Sequence, residues 1–369
     1  MTDNIYDAVI LGAGVIGLAI SRKLSEEGKE VLIIEEQGQI GSVTSSRNSG
    51  VIHAGVYYDK ESLKAKFCPE GNRRIYEYCI SRSIPHLNTG KFIVATSNNE
   101  IEKLDNILNQ ANEVGVVDIE KVTGSYVSDK EPLIKCVEGL YVSSSGIVDA
   151  SALMRSYLGD IEDKGGMISY NTCFKQADLD NSLFKILVSQ NHEEIEINSR
   201  ILINATGIYA EDNANNLLFL DKSNIPKTFY AKGNYFETGK KLGIKHLIYP
   251  VPNEASLGLH LGLDMGMTVR FGPDVEWVDE ISYEVNKNRE EIFYNDIIKY
   301  IPSFDRSMLK PGYSGIRPKL KGKGQGKSDW MIQSQKDHGI ENLINLFGME
   351  SPGLTSSLVI AEYVNELLN

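Results

Sequence analysis

The sequence predicts an α/β protein with a second, α+β part interleaved into it, and three observations predict that class. An apolar run, a glycine turn, a helical stretch and a second apolar run follow one another within the first thirty-five residues. Two later apolar runs also stop at small-residue turns, one at Ala205-Thr206-Gly207 and one at Gly348. Between these segments lie strand-like runs such as KFIVAT at 91–96 and TVRF at 268–271. A chain of 369 residues exceeds one compact core, so two domains are expected.

The first unit reads residue by residue. Residues 6–11 (YDAVIL) are apolar with a β-branched bias and stop at Gly12-Ala13-Gly14. Val15, Leu18, Ala19 and Leu24 then fall at helical intervals until Gly28, and Val31–Ile34 forms a second apolar run that ends at Glu35. The glycines Gly12, Gly14 and Gly17 make GxGxxG, and the acid follows the last of them by 18 residues. Each part has a task in a Rossmann-type dinucleotide site. Gly12 makes the tight turn, Gly14 lets the backbone approach a pyrophosphate, and Gly17 allows close helix–strand packing. The first helical turn, Val15 and Ile16, offers unpaired N–H groups to phosphate oxygens. Glu35, with Glu36 beside it, is placed to accept from a ribose diol.

Two further segments favour FAD over NAD. RILINATGIYAED at 200–212 is a strand that opens into a small-residue turn, where a chain returning to a flavin cofactor would contribute Ala205, Thr206 and Gly207. LINLFGMESPGLTSSLVIAEYVNELL at 343–368 is a strand, a turn and a helix. Leu354, Leu358, Ala361 and Val364 set the expected helix face, and the turn at Gly348, Glu350, Ser351, Pro352, Gly353 and Leu354 aims a helix N-terminus at the cofactor. A helix end suits the negative charge that a flavin gains on reduction.

Composition narrows the remaining functions. The net charge of −12 argues against a nucleic-acid partner, whose phosphates need a basic face. No apolar run is long enough for a membrane span, although a peripheral membrane contact stays open, and the polar start MTDNIYD does not read as a signal peptide. Cys68, Cys79, Cys136 and Cys173 form no CxxC, and the six histidines lack metal-ligand spacing, so a cytoplasmic protein with reduced thiols and no metal is expected.

Several blocks then carry a family resemblance: SSRNSGVIHAGVYYDKESLKAKFCPEGNRRIYEYC, YAKGNYF, YPVP, GLHLGLDMGMTVRFGPDVEWV, YSGIRPKL and NLFGMESPGLTSSLVIAEYV. The chain resembles the D-amino-acid-oxidase-like FAD superfamily and, within it, the L-2-hydroxyglutarate dehydrogenase/oxidase group. The likeness covers essentially the whole length. It implies a discontinuous FAD-binding domain at 1–88, 147–225 and 313–369, and a substrate domain with a mixed antiparallel sheet at 89–146 and 226–312. The group commonly carries Arg-Gly where this chain has Lys232-Gly233, and a lysine is a point charge without the planar fork of an arginine. No cysteine stands near the C-terminus to link a flavin, so the expected FAD is noncovalent.

The implied reaction is oxidation of an L-2-hydroxy acid, a dicarboxylate in this group, to the 2-oxo acid, with O₂ or a quinone as the final acceptor. It needs a cation for the carboxylate, a base for the hydroxyl proton and a flavin for the hydride. Arg317, in Gly-Ile-Arg-Pro, is the candidate cation, because its guanidinium fork matches a carboxylate. His53 is the candidate base, since a neutral imidazole is available near neutral pH. His260, in GLHLG, is its rival, whereas His86, His192, His246 and His338 lie in charged or loop-like contexts. Tyr249 is a candidate for holding substrate oxygen, with Tyr57 behind it, and Lys232 for a second carboxylate. Ser45, Ser46, Arg47 and Asn48 are expected along the cofactor, with Gly50 and Val51 passing close to its ring. The basic, glycine-rich stretch 319–327 reads as a surface loop or a lid. Two other readings keep the fold: an oxidase of a small amino acid or amine, and a non-catalytic FAD-binding protein.

Overall fold

A computed structural model of the chain describes residues 5–252 and 258–369. MTDN, the start of the polar N-terminal stretch, lies outside the described residues. The chain divides into two compact units: Met1–Ser46, Ala150–Tyr230 and Arg317–Asn369 form the first, and Arg47–Asp149 and Ala231–Ile316 the second.

The first unit begins with β1 (Ile5–Leu11), α1 (Val15–Glu26) and β2 (Val31–Ile34). The second continues with β3 (Val51–Ile52), α2 (Leu63–Ser81), β4 (His86–Leu87), β5 (Lys91–Ala95), α3 (Ile101–Glu113), β6 (Ile119–Thr123), α4 (Gly124–Lys130), β7 (Glu138–Val142) and β8 (Gly146–Val148). The first resumes with α5 (Ala150–Asp163), β9 (Met167–Ser169), β10 (Thr172–Asp180), β11 (Leu183–Gln190), β12 (Glu193–Asn204) and α6 (Ala210–Asn215). There follow β13 (Phe229–Glu237), β14 (Leu247–Pro250), β15 (Leu261–Leu263), β16 (Val269–Phe271), β17 (Glu276–Val278), α7 (Glu290–Tyr300) and β18 (Lys310–Lys319). The chain ends in the first unit with β19 (Met331–Gln333), α8 (Gln335–His338), β20 (Leu343–Phe347) and α9 (Gly353–Leu368).

In the first unit the sheet runs β10-β11-β12-β1-β2-β9, with β20 beside β12 and β19 beside β20. β1 pairs in parallel with both β2 and β12, as a βαβ crossover requires. Strands covered on both faces read as unbroken apolar runs, and VLII of β2 is buried throughout. Helix α1 departs from the expected single stripe. Ile16, Ile20 and Ser21 are buried along with Leu18, Ala19 and Leu24, because α1 packs against β1, β2, α5 and α9 at once. Helix α9 also differs: Gly353, Thr355, Ser356, Ser357, Ile360, Ala361 and Val364 are its buried residues, while Leu354 and Leu358 are half-buried. Small hydroxyl residues let α9 approach closely, and the Tyr157 and Ser357 hydroxyls share a buried hydrogen bond of 3.0 Å.

The second unit is built on a mixed sheet in the order β17-β13-β16-β15-β14-β5-β7-β6, with β18 beside β13. β5 is parallel to β14 and antiparallel to β7. Its core gathers Phe92, Leu140, Phe236, Ile248, Phe271 and Phe293, and α3 covers it with Leu104, Ile107 and Ala111. The helix expected from spacing at Ile101, Leu104, Ile107 and Leu108 is therefore present. A small sheet, β3-β8-β4, carries the loop after residue 46.

The unit boundary after Ser46 differs from the expected one near residue 88. The reason is packing. Val51, Ala54 and Val56 belong to the second unit's core, and β3 pairs with β8. Asn48, Gly50 and Val51 accordingly lie in the second unit: the Asn48 side-chain oxygen accepts from the Gly50 N–H at 2.7 Å, and Tyr313 donates to the Asn48 carbonyl at 2.7 Å.

Candidate active site

Three stretches of the first unit meet at the N-terminus of α1. Gly12 has φ +96°, and a Cβ there would stand 2.9 Å from the Ala205 carbonyl oxygen. A Cβ on Gly17 would stand 2.0 Å from the Gly12 oxygen, so both positions require glycine. Gly14 is the N-cap of α1 and supplies no capping side chain, while Ser45 Oγ accepts the Val15 N–H at 3.0 Å. Glu35 fixes the turn: its carboxylate accepts the N–H groups of Ala13 at 2.7 Å and Gln37 at 2.9 Å. Each carboxylate oxygen retains a second lone pair for a hydroxyl. Glu36 is exposed.

The Ala205–Gly207 turn is held by residues that the sequence did not flag. Asn204 is buried, accepts the Thr206 hydroxyl at 2.7 Å and donates to the Ala210 carbonyl at 2.9 Å. It also donates to the side-chain oxygen of Asn345 on β20 at 3.2 Å. Against the start of α1 lies the start of α9, where a Cβ on Gly353 would sit 3.6 Å from Ile16 Cδ1. Two helix N-termini side by side, neither capped by its own N-cap side chain, give a positive, hydrogen-bond-donating edge. This cradle fits a dinucleotide: the backbone is bare where a pyrophosphate must approach, and an acid follows at the end of β2.

Other residues expected along the cofactor also have partners within the protein. Ser46 Oγ donates to the Val43 carbonyl at 3.1 Å. The Arg47 guanidinium lies 4.1 Å over the Tyr283 ring, in the second unit, and donates to the Ser314 carbonyl at 3.4 Å. Glu350 is buried and paired with Lys319 at 2.6 Å, while its carbonyl accepts from Trp330 Nε1 at 3.2 Å. Lys319 thus ends β18 as a paired residue and does not belong to a free lid. Arg317 is half-buried on the same strand.

The second unit assembles its own cluster. His53 follows β3 and is half-buried, with its carbonyl held from α2 by the Asn72 side-chain amide at 3.0 Å and the Cys68 thiol at 3.4 Å. The same Asn72 amide donates to Ser144 at 3.0 Å, which ties the loop to the strand pair β7–β8. Sequence reasoning missed Asn72, whose only signal is an amide inside an amphipathic helix. Tyr249, on β14, is 3% exposed and stacks on His260 with ring centroids 3.6 Å apart and planes 5° from parallel. His260 comes just before β15, and its carbonyl accepts the Gly272 N–H at 2.8 Å. Both candidate histidines thus lie in the second unit, in contact with one electrostatic environment.

That environment is set by a residue absent from the sequence expectations, Lys91. It opens β5 and is 1% exposed. Its ammonium lies 4.9 Å from the Tyr249 ring centroid and 5.6 Å from that of Tyr57. Burial pushes the His53 imidazole down to about 3, and the Lys91 cation and His260 add to the shift. His53 is therefore a neutral imidazole at physiological pH. Burial also pushes Lys91 down to about 8, and raises the Tyr57 and Tyr249 phenols above the ordinary range. The cluster can accept a proton on His53 and carries a cation beside it. Lys232 is buried in the same unit. His246, in contrast, is bound to the buried Glu131 carboxylate at 2.6 Å and is part of the framework.

Among the described residues no group of three or more His, Cys, Asp or Glu side chains is arranged to hold a metal, and no helix is long and apolar enough to cross a membrane.

The model of the FAD dependent oxidoreductase family matches residues 7–367. The mitochondrial L-2-hydroxyglutarate dehydrogenase of Arabidopsis thaliana is 38% identical, over 97% of this chain and 82% of that protein. The L-2-hydroxyglutarate dehydrogenase of Indibacter alkaliphilus is 27% identical over 98% of both chains. Among solved structures, an L-alpha-glycerophosphate oxidase from Mycoplasma pneumoniae with FAD bound superposes with a TM-score of 0.89 at 23% identity, over 99% of this chain and 95% of that one. That likeness fixes the fold, and the family match fixes the cofactor whose cradle the first unit provides. The chain belongs to the FAD-dependent oxidoreductase family, in the group of its members that carry the L-2-hydroxyglutarate dehydrogenase name.

Proposed function

We propose that this protein oxidises L-2-hydroxyglutarate, or a closely similar L-2-hydroxy dicarboxylate, to the 2-oxo acid, with His53 as the base. FAD bound in the cradle supplies the two-electron acceptor. His53 takes the hydroxyl proton: its ring is unprotonated before substrate binds, and a substrate carboxylate beside it offsets the burial and the Lys91 charge that lower its basicity. The backbone bonds from Asn72 and Cys68 keep the imidazole on a fixed stem. Tyr249 and His260 form a flat wall, which limits how a substrate can turn. Arg317 supplies the guanidinium for the carboxylate next to the reacting carbon. The cofactor residues we assign are Gly12, Gly14, Val15, Ile16, Gly17, Glu35, Ser45, Ala205, Thr206, Gly207, Gly353 and Leu354. O₂ and a quinone are the acceptors to test. The four free cysteines support a cytoplasmic setting.

The neutral His53 beside a buried cation is the observation that supports a hydroxy acid most strongly. An amine substrate that reacts in its neutral form has less need of such a base. Anaerobic mixing with L- and D-2-hydroxyglutarate, L-lactate, glycine, sarcosine and D-alanine tests the reading through flavin bleaching. Fast bleaching by the L-hydroxy acid alone supports it, and bleaching by an amino acid in place of the hydroxy acids contradicts it.

A further inference from the structure

We propose that Lys91 is an anion-binding residue of this site, whose buried ammonium pairs with a carboxylate of the substrate. The inference deepens the hydroxy-acid reading above and rests on it for the identity of the anion.

Lysines are almost never fully buried without a partner. Lys91 is fixed in the middle of the second unit's sheet, opposite Leu247 on β14 and Val142 on β7. Its side chain is enclosed, yet no carboxylate forms an ion pair with it among the described residues. Its ammonium faces the rings of Tyr57 and Tyr249. Aromatic faces offset only part of the cost of taking an ammonium out of water. The ionisable groups that act on it or feel it are the Cys68 thiol, which favours its charge, and the His53 imidazole, whose protonation it opposes, and neither is a carboxylate.

A second donor in the same cluster is also unsatisfied. The Tyr57 hydroxyl is buried and has no hydrogen-bond partner among the described residues. Among the described residues, these two buried donors have no oxygen anion to accept from them. A methionine at position 91 would have a similar volume without the charge. A carboxylate supplies the missing counter-charge and lone pairs for both groups.

The test uses Lys91→Met and Lys91→Arg, purified with FAD. Calorimetric titration with 2-oxoglutarate reads anion binding without turnover, and oxidation of L-2-hydroxyglutarate is followed alongside. Lys91→Met should weaken 2-oxoglutarate binding by roughly 30-fold or more, the scale of a lost charge-assisted hydrogen bond. Its flavin content should stay intact and its melting temperature should equal or exceed that of the wild type, with Lys91→Arg recovering part of the affinity. Binding within about threefold of wild type in Lys91→Met would overturn the proposal, as would loss of flavin and melting temperature together with binding, or a wild type that binds no 2-oxoglutarate. A wild type that binds the anion through Lys91 but oxidises no hydroxy acid would break the parent reading and keep this one.

Discussion

At the scale of single residues, the proposed chemistry depends on one imidazole that is neutral before substrate binds. An ordinary histidine is half protonated near pH 6.5, whereas burial and Lys91 hold His53 down to about 3. The folded pKa is depressed, so the unfolded chain binds the extra proton as pH falls from 6.5 towards 3, and His53 costs stability progressively through that window. The rate of flavin reduction should show no acid limb near pH 6.5, and a limb at that pH in stopped-flow traces would mean that another group is the base. His53→Ala should slow single-turnover reduction by about 10²- to 10⁴-fold with FAD still bound. If His260→Ala loses the reaction and His53→Ala keeps it, the two roles exchange.

Lys91 adds a second pH marker, in the same cluster as His53, His260, Cys68, Tyr57 and Tyr249. Its ammonium is mostly protonated at pH 7 and is lost above about 8, because burial opposes the charge and only Cys68 acts the other way. The KM for the hydroxy acid should therefore climb above pH 8 in the wild type and stay flat in Lys91→Met. A parallel climb in both would detach the effect from Lys91.

At the scale of elements, the cradle was the most legible part of the chain. GxGxxG, the acid after it and the small-residue turn all act through local backbone geometry, so spacing alone exposes them. Gly17 illustrates the point, since the space for its Cβ is already taken by the Gly12 oxygen. Gly17→Val should abolish FAD retention while the second unit still melts cooperatively. Normal flavin content in that variant would show that α1 can shift without loss. The face of α9 was less legible. Leucine spacing pointed to Leu354 and Leu358, but close packing on α1 selects Ser356 and Ser357. Hydrophobicity predicts burial only where neighbours leave room for a large side chain.

Residues whose partners lie far along the chain were not legible at all. Lys91 reads as the polar edge of a strand, and its setting appears only when β14 brings Tyr249 beside it. Asn72 acts through a carbonyl nineteen positions away, and Asn204 through Asn345 on another strand. Arg47 and Glu350 read as cofactor residues by position, and their contacts with Tyr283 and Lys319 were not legible beside that. The boundary after Ser46 was hidden for the same reason: whether residues 47–88 belong to one core or another depends on contacts made by β3 and α2.

At the scale of the whole molecule, each unit carries one half of the requirement. The first holds a dinucleotide cradle, and the second holds the neutral His53 imidazole and the buried Lys91 ammonium. A chain that kept only the first would be a yellow protein without a substrate. The central claim is that the two together perform a stereospecific two-electron oxidation of an L-2-hydroxy acid. Anaerobic titration with L-2-hydroxyglutarate, with the product quantified, tests it most directly. The prediction is complete flavin bleaching with one 2-oxoglutarate formed per FAD and none with the D-enantiomer; a flavin that stays oxidised, or bleaches equally with both enantiomers, would contradict it.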